Sequence, residues 1–129
     1  MPAPSSATYS AAAKIAAHTA FLALIDAGSG AGKIRIRDSS DTLLVSIPLD
    51  DPGGTVNGTT GQLTFDVPAA VNVTTSGTAA YGEITDDANT VHLSLPCQQG
   101  TAAASGYLVL NSLTLVSGSP VQVLSATIG

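Results

Sequence analysis

The chain changes its hydrophobic period once, near residue 30. Before that point Ala11, Ile15, His18, Leu22 and Ile25 recur at spacings of four and three. From Lys33 onward, apolar and polar residues alternate in short runs separated by Gly, Asp, Asn and Ser. The first period is one face of an α-helix and the second is a half-buried β-strand. A single switch of this kind limits the chain to one helix attached to a β-structure.

The helix is expected over residues 10–28. Ser10 is positioned as its N-cap, because a hydroxyl can accept from a free N–H of the first turn. Gly28 is positioned as its stop. Phe21 and Leu24 widen the apolar stripe, and alanines occupy most of the remainder. Residues 1–9 read as an extended arm, since Pro2 and Pro4 disfavour helix. Gly28 to Gly32 reads as a flexible joint, and residues 29–129 as the β domain.

Within that domain Lys33–Asp38 alternates basic residues with Ile34 and Ile36. Thr42–Leu49 sends Leu43, Val45, Ile47 and Leu49 to one side. Further strands are expected at 62–67, around Val71 and Val73, at 78–85 with Tyr81 and Ile84, and at 90–95 with Val91, Leu93 and Leu95 on one face. Two more follow at 107–115, broken at Asn111, and at 121–128. Residues 38–41 and 86–89 read as turns, and 50–54 and 97–106 as loops. Eight or nine short strands with turns every 8–12 residues indicate a mainly β fold, a β-sandwich, with a jelly roll as the expected arrangement.

The chemistry available is sparse. Of 129 residues only 10% are charged, tryptophan is absent, and Cys97 is the one cysteine. A length of this order suits one domain, and 44% hydrophobic residues can fill its core. A net charge of −5 argues against a nucleic-acid surface, which needs clustered Lys and Arg. The stretch Ile15–Ile25 is too short for a membrane span, and Met1–Ser6 lacks the basic region of a signal peptide. A lone cysteine cannot form an internal disulfide, and fits synthesis in a reducing cytoplasm or a protein whose redox state is irrelevant. Nothing around Cys97 supplies a base or positive environment, so a passive thiol is expected.

His18 and His92 stand far apart in sequence, which suits surface or interface histidines better than a metal site. The aspartates at 38/41, 50/51 and 86/87 do not follow the calcium-loop pattern and read as turn residues. Gly28 to Lys33 lacks phosphate-loop spacing and follows a helix instead of a strand. No catalytic residue, cofactor or metal is therefore expected.

Two features point to partners. The arm, with Pro2, Ala3, Pro4 and Tyr9, has a composition with no internal reason to order and is expected to bind another chain. Lys33, Arg35 and Arg37 put three of the four basic residues on one strand face. They read either as an edge strand protected by charge or as a face toward an acidic partner.

Taken in order, several segments form a wider pattern. They are Leu24-Ile25-Asp26-Ala27-Gly28, Ala31-Gly32-Lys33-Ile34-Arg35-Ile36, Leu43-Leu44-Val45-Ser46-Ile47-Pro48-Leu49 with Asp51-Pro52, and Gly61-Gln62-Leu63-Thr64-Phe65. Ser76-Gly77-Thr78-Ala79-Ala80-Tyr81 with Ile84-Thr85-Asp86, and Leu115-Val116-Ser117-Gly118-Ser119-Pro120-Val121, complete it. Over about residues 9–128 this resembles small virion proteins of tailed bacteriophages and prophages, one related type being a capsid cement protein with a jelly-roll fold. The resemblance implies a non-enzymatic protein on the capsid surface of a virion, made in the bacterial cytoplasm. It would bind the major capsid protein, copies of itself, or both, with no small-molecule substrate. A tail or head–tail connector component is the alternative within the virion. A carbohydrate-binding β-sandwich is a third reading, disfavoured by the few aromatics available as sugar platforms.

Overall fold

A computed structural model describes residues 9–28, 30–50, 52–66, 70–104 and 106–128. It contains one helix, α1 (Ala11–Ile25), followed by strands. These are β1 (Lys33–Arg37), β2 (Leu43–Pro48), β3 (Gly54–Val56), β4 (Leu63–Phe65), β5 (Val71–Asn72), β6 (Gly77–Thr78), β7 (Tyr81–Thr85) and β8 (Val91–Gln99). They continue as β9 (Leu108–Leu110), β10 (Thr114–Leu115), β11 (Pro120–Val121) and β12 (Val123–Ile128).

Eight strands form one sheet in the order β2-β1-β7-β8-β9-β12-β4-β3. Its two outermost strands, β2 and β3, are consecutive in the chain and joined by only residues 49–53. Such a link spans at most about 20 Å. A flat sheet of this size would hold its edges about 34 Å apart, at about 4.8 Å per strand gap. The sheet must therefore curl until its edges approach. The Asp50 N–H, just past β2, donates to the Asp66 carbonyl at the end of β4, and the Asp66 N–H continues the β3–β4 pairing by donating to the Gly53 carbonyl. Two ribbons, β10-β6 and β11-β5, lie outside this sheet. The outcome is a mainly β, sandwich-like fold with one helix, in agreement with the sequence pattern.

The curl encloses one core. Ile34, Ile36, Ile47, Leu63, Ile84 and Leu108 are all fully or almost fully buried in it. Burying each such side chain contributes roughly 1.5–3 kcal/mol. That exceeds what the charged residues on the outer side of the same strands supply, so alternation of apolar residues decides the fold.

Helix α1 packs on its own β domain. The Ser10 hydroxyl accepts from the Ala13 N–H at 3.1 Å, as expected of an N-cap. Ile25 is fully buried, and Phe21 meets Phe65 edge-to-face with centroids 6.0 Å apart. The helix ends at Ile25, short of Gly28. Asp26 caps it, and its carboxylate accepts from the Gly53 N–H at 3.0 Å, turning the chain onto the loop before β3. The segment after it is not a free joint. Gly32 is buried so closely that a Cβ there would lie 2.7 Å from the Thr85 carbonyl oxygen.

Several strand expectations change in detail. β3 begins at Gly54, the last residue of the expected 50–54 loop, and continues through Val56 where no strand was expected, because pairing with β4 orders a segment too short to show alternation. Residues 97–99 extend β8 instead of opening a loop. They pair in parallel with β9, Cys97 beside Leu108 and Gln99 beside Leu110. The other pairings among the described residues are antiparallel. Residues 78–85 divide into β6 and β7, residues 107–115 into β9 and β10, and residues 121–128 into β11 and β12. Bulges also shift two faces. One between Ile36 and Arg37 lets Leu44 be buried beside Val45, leaving Leu43 half-exposed. Another between Ile84 and Thr85 puts Val91 and His92 opposite one residue, so Val91 is exposed although Leu95 is buried.

Candidate partner-binding face

The outer side of β2, β1, β7 and β8 carries the charges singled out in the sequence. Lys33, Arg35 and Arg37 alternate with buried Ile34 and Ile36, as the pattern requires. β1 is not an edge strand: it pairs with β2 on one side and β7 on the other. Edge protection is therefore not the role of these cations. The real edge at β2 is guarded differently. The Leu44 carbonyl accepts the N–H groups of Thr74 and Thr75, and Pro48 has no N–H to offer.

Two of the three cations are already used within the fold. The Arg37 guanidinium donates to Glu83 at 2.6 Å and to the Asp41 carbonyl at 2.9 Å. The Glu83 hydrogen bond raises the Arg37 pKa, against a smaller opposing effect of burial. Tyr81 donates to the Asp41 carboxylate at 2.6 Å, and keeping that proton pushes the phenol up to about 12. Lys33 donates to the Asp87 carbonyl at 3.3 Å and to the Asn89 side chain at 3.1 Å. Arg35 makes no hydrogen bond or ion pair among the described residues. It lies directly across from Glu83 on one side and Ser46 on the other, but the Glu83 carboxylate is taken diagonally by Arg37. The sequence reading did not include Glu83, and it did not place Tyr81 or Asp41 beside the β1 cations. The alternation of 78–85 was visible, but its cross-strand register with β1 was not.

Asp38 and Asp86 do turn chemistry, whereas Asp50 makes no side-chain hydrogen bond among the described residues and Asp51 lies outside them. Asp38 accepts from the N–H groups of Ser40 and Thr42, with Asp41 at φ +66°. Asp86 repeats the arrangement with Ala88, Thr90 and Asn89 at φ +66°. The short polar side chains of Asp and Asn suit that left-handed position.

Asp86 also holds His92 at 3.1 Å. The Thr90 N–H is the main cause, with His92 second, of a carboxyl held below its ordinary 3.8. A depressed carboxyl stabilises the fold above its unfolded pKa and loses that effect as pH falls through its folded value. The stability difference between wild type and Asp86→Asn should therefore shrink as pH drops below about 4. Thermal unfolding followed from pH 7 to 2.5 measures this, and a constant difference would refute it.

The remaining candidates are also structural in placement. His18 Nδ1 lies 2.6 Å from the Gly61 carbonyl, linking α1 to the β3–β4 turn. Cys97 packs against the core, and desolvation pushes its thiol up to about 12, so little thiolate forms near neutrality. A groove of about 260 Å³ lies between β4 and β12, where pairing runs only from Leu63 and Thr64 to Ile128 and Thr127. Its lining includes Phe65, Asp66 and Leu124. No group of three or more metal-ligating side chains occurs among the described residues, and none of their helices is long and apolar enough to cross a membrane. Pro2, Ala3 and Pro4 lie outside the described residues, and Tyr9 is 78% exposed.

Compared with protein-family models, curated proteins and solved structures, the chain has no match.

Proposed function

We propose that this chain is a non-enzymatic structural subunit of a tailed-phage virion, most specifically a capsid cement protein joining major capsid subunits. One structural observation supports a scaffold over a catalyst. The Asp38, Asp86, Asp26, Arg37, Lys33 and His18 side chains are engaged in turns, caps and latches of the fold itself. Catalysis needs polar groups converging where a substrate can reach them. Here they are distributed along hairpins and strand faces.

The order of motifs over residues 9–128 supplies the virion reading. A sandwich with an Ala-rich outer helix face offers small residues for close contact with another chain. Binding only the assembled shell would stabilise that shell by mass action. The test is a particle from which this protein has been omitted. Such capsids should survive to lower temperature or lower external osmotic shock than wild type, and added purified protein should restore them. Equal survival with and without the protein would refute a cement role. Recovery of the protein only with isolated tails would assign it to the tail.

A further inference from the structure

The β3–β4 turn holds the one asparagine of the chain that is followed by glycine, Asn57–Gly58, whereas Asn72, Asn89 and Asn111 precede Val, Thr and Ser. The backbone nitrogen after an asparagine can attack its side-chain amide, and glycine leaves that nitrogen unshielded. Here both residues are exposed, and a Cβ built at Gly58 would meet nothing within 4 Å. The Gly58 N–H makes no hydrogen bond among the described residues. The group to be attacked is held more firmly. Asn57 Oδ1 accepts from the N–H groups of Thr59 at 2.8 Å and Thr60 at 2.9 Å. The Asn57 carbonyl accepts from the Gly61 N–H at 2.9 Å, and the Asn57 N–H donates to the Gln62 carbonyl at 2.8 Å. The same turn seats α1. The Gly61 carbonyl accepts from His18 Nδ1, and the missing side chain of Gly61 leaves the space that the Ala11 carbonyl and the Ile15 nitrogen approach.

We infer that Asn57–Gly58 is a site of spontaneous isoaspartate formation, gated by opening of this turn, and that the conversion releases α1 from the sheet. The Gly58 nitrogen bonds to Asn57 Cγ, the bond from Cγ to the side-chain nitrogen breaks, and the Gly58 proton leaves with that nitrogen as ammonia. Water then opens the cyclic imide. Where it cleaves the bond to the Asn57 main-chain carbonyl carbon, that carbon becomes a free carboxylate and the chain runs through Cγ instead. To present Cγ to the Gly58 nitrogen the amide must turn, which takes Oδ1 away from Thr59 and Thr60. The folded turn therefore slows the reaction, and local opening sets its rate. The product has one more methylene in the backbone between residues 57 and 58. Its Cγ carbonyl is no longer a side-chain acceptor for Thr59 and Thr60, and the carbonyl that held Gly61 is now off the main chain. Gly61 then shifts against α1, where the facing atoms are backbone and yield only if the helix moves.

The test follows isoaspartate in the purified full chain, kept at mildly alkaline pH either folded or in urea. Methyl transfer by an isoaspartyl methyltransferase measures the product, and peptide mapping places it. Label should accumulate at Asn57, about tenfold or more faster in urea, because folding adds two hydrogen bonds that must break first. In folded His18→Ala, which frees the turn from the helix, the rate should lie between the two. The isoaspartyl chain, separated by chromatography, should lose amide protection from Lys14 to Leu22 while β1 and β7 keep theirs. Freshly prepared Asn57→Asp carries the added charge without the longer backbone and should keep its helix protection. Absence of label at Asn57 in urea, a folded rate equal to the unfolded one, or a His18→Ala rate no higher than wild type overturns the inference. So does an isoaspartyl form with unchanged helix protection, or an equal loss of protection in Asn57→Asp, which would assign the effect to charge.

Discussion

Leu108→Ala is expected to destabilise the fold by about 2–5 kcal/mol, the range for a fully buried leucine whose cavity cannot collapse. Leu108 is fully buried and belongs to β9, near the middle of the sheet. Its side chain covers Gly82 of β7. A Cβ built at Gly82 would lie 2.6 Å from Leu108 Cδ2 and 3.9 Å from Ile34 Cγ2. Gly82→Ala should therefore cost about 1–3 kcal/mol by overpacking, despite alanine's lower backbone entropy cost. The two changes are coupled, because removing the leucine makes room for the new methyl. Gly82→Ala/Leu108→Ala should be less destabilised than the two singles added together, by 0.5 kcal/mol or more. Urea unfolding of all four proteins measures this. Strict additivity would mean that Leu108 does not lie over Gly82.

That pair shows what the sequence could and could not reveal. Leu108 reads as apolar in an apolar run, and Gly82 as a small residue within a strand. Nothing in either segment says that they touch, because strand order is set by pairing between segments distant in the chain. The alternation at Lys33–Arg37 was legible because one face of β1 is buried and the other solvated. β3 and residues 97–99 were not legible. Their order comes from the strands beside them, and their residues carry no period of their own. The Asp turns were legible because the chemistry is local, within four residues of each Asp.

The charged face shows the same limit at the level of function. Three cations at alternate positions are visible in the sequence, and they read either as a charge-protected edge strand or as a face toward an acidic partner. The fold reduces them to one unpaired group, because β7 and the 86–90 hairpin bring Glu83, Asp87 and Asn89 alongside. The ion pair itself is worth little: Arg37 and Glu83 remain 21% and 14% exposed, and such pairs contribute about 0–1 kcal/mol. Its effect on recognition is larger than its effect on stability, since it determines which cation is left for a partner. Register, which converts a list of charges into a pattern, had to come from the structure.

Gly61→Ala is expected to weaken the attachment of α1 to the sheet, at a cost of about 2–4 kcal/mol. Two effects act together. Gly61 has φ +79°, where a non-glycine residue is strained by about 1 kcal/mol or more. Its missing Cβ is also the space into which the helix fits, since a Cβ there would lie 2.9 Å from the Ala11 carbonyl oxygen and 3.2 Å from the Ile15 nitrogen. Those are backbone atoms of the helix, so they can yield only by moving α1 as a body. Such a movement lengthens the His18–Gly61 hydrogen bond and opens the Phe21–Phe65 contact, whereas Ile25 and the Asp26 cap are held at the other end. Loss should therefore begin at the N-terminal half of the helix. Amide hydrogen exchange resolved by residue can follow it: protection should fall most at Lys14 to Leu22 and least in β1 and β7. His18→Ala removes the hydrogen bond without adding a Cβ, so it should reproduce the pattern at a smaller cost, about 0.5–1.5 kcal/mol. Uniform loss of protection across helix and sheet in Gly61→Ala would instead mean that the helix is a cooperative part of the core and not an element docked upon it.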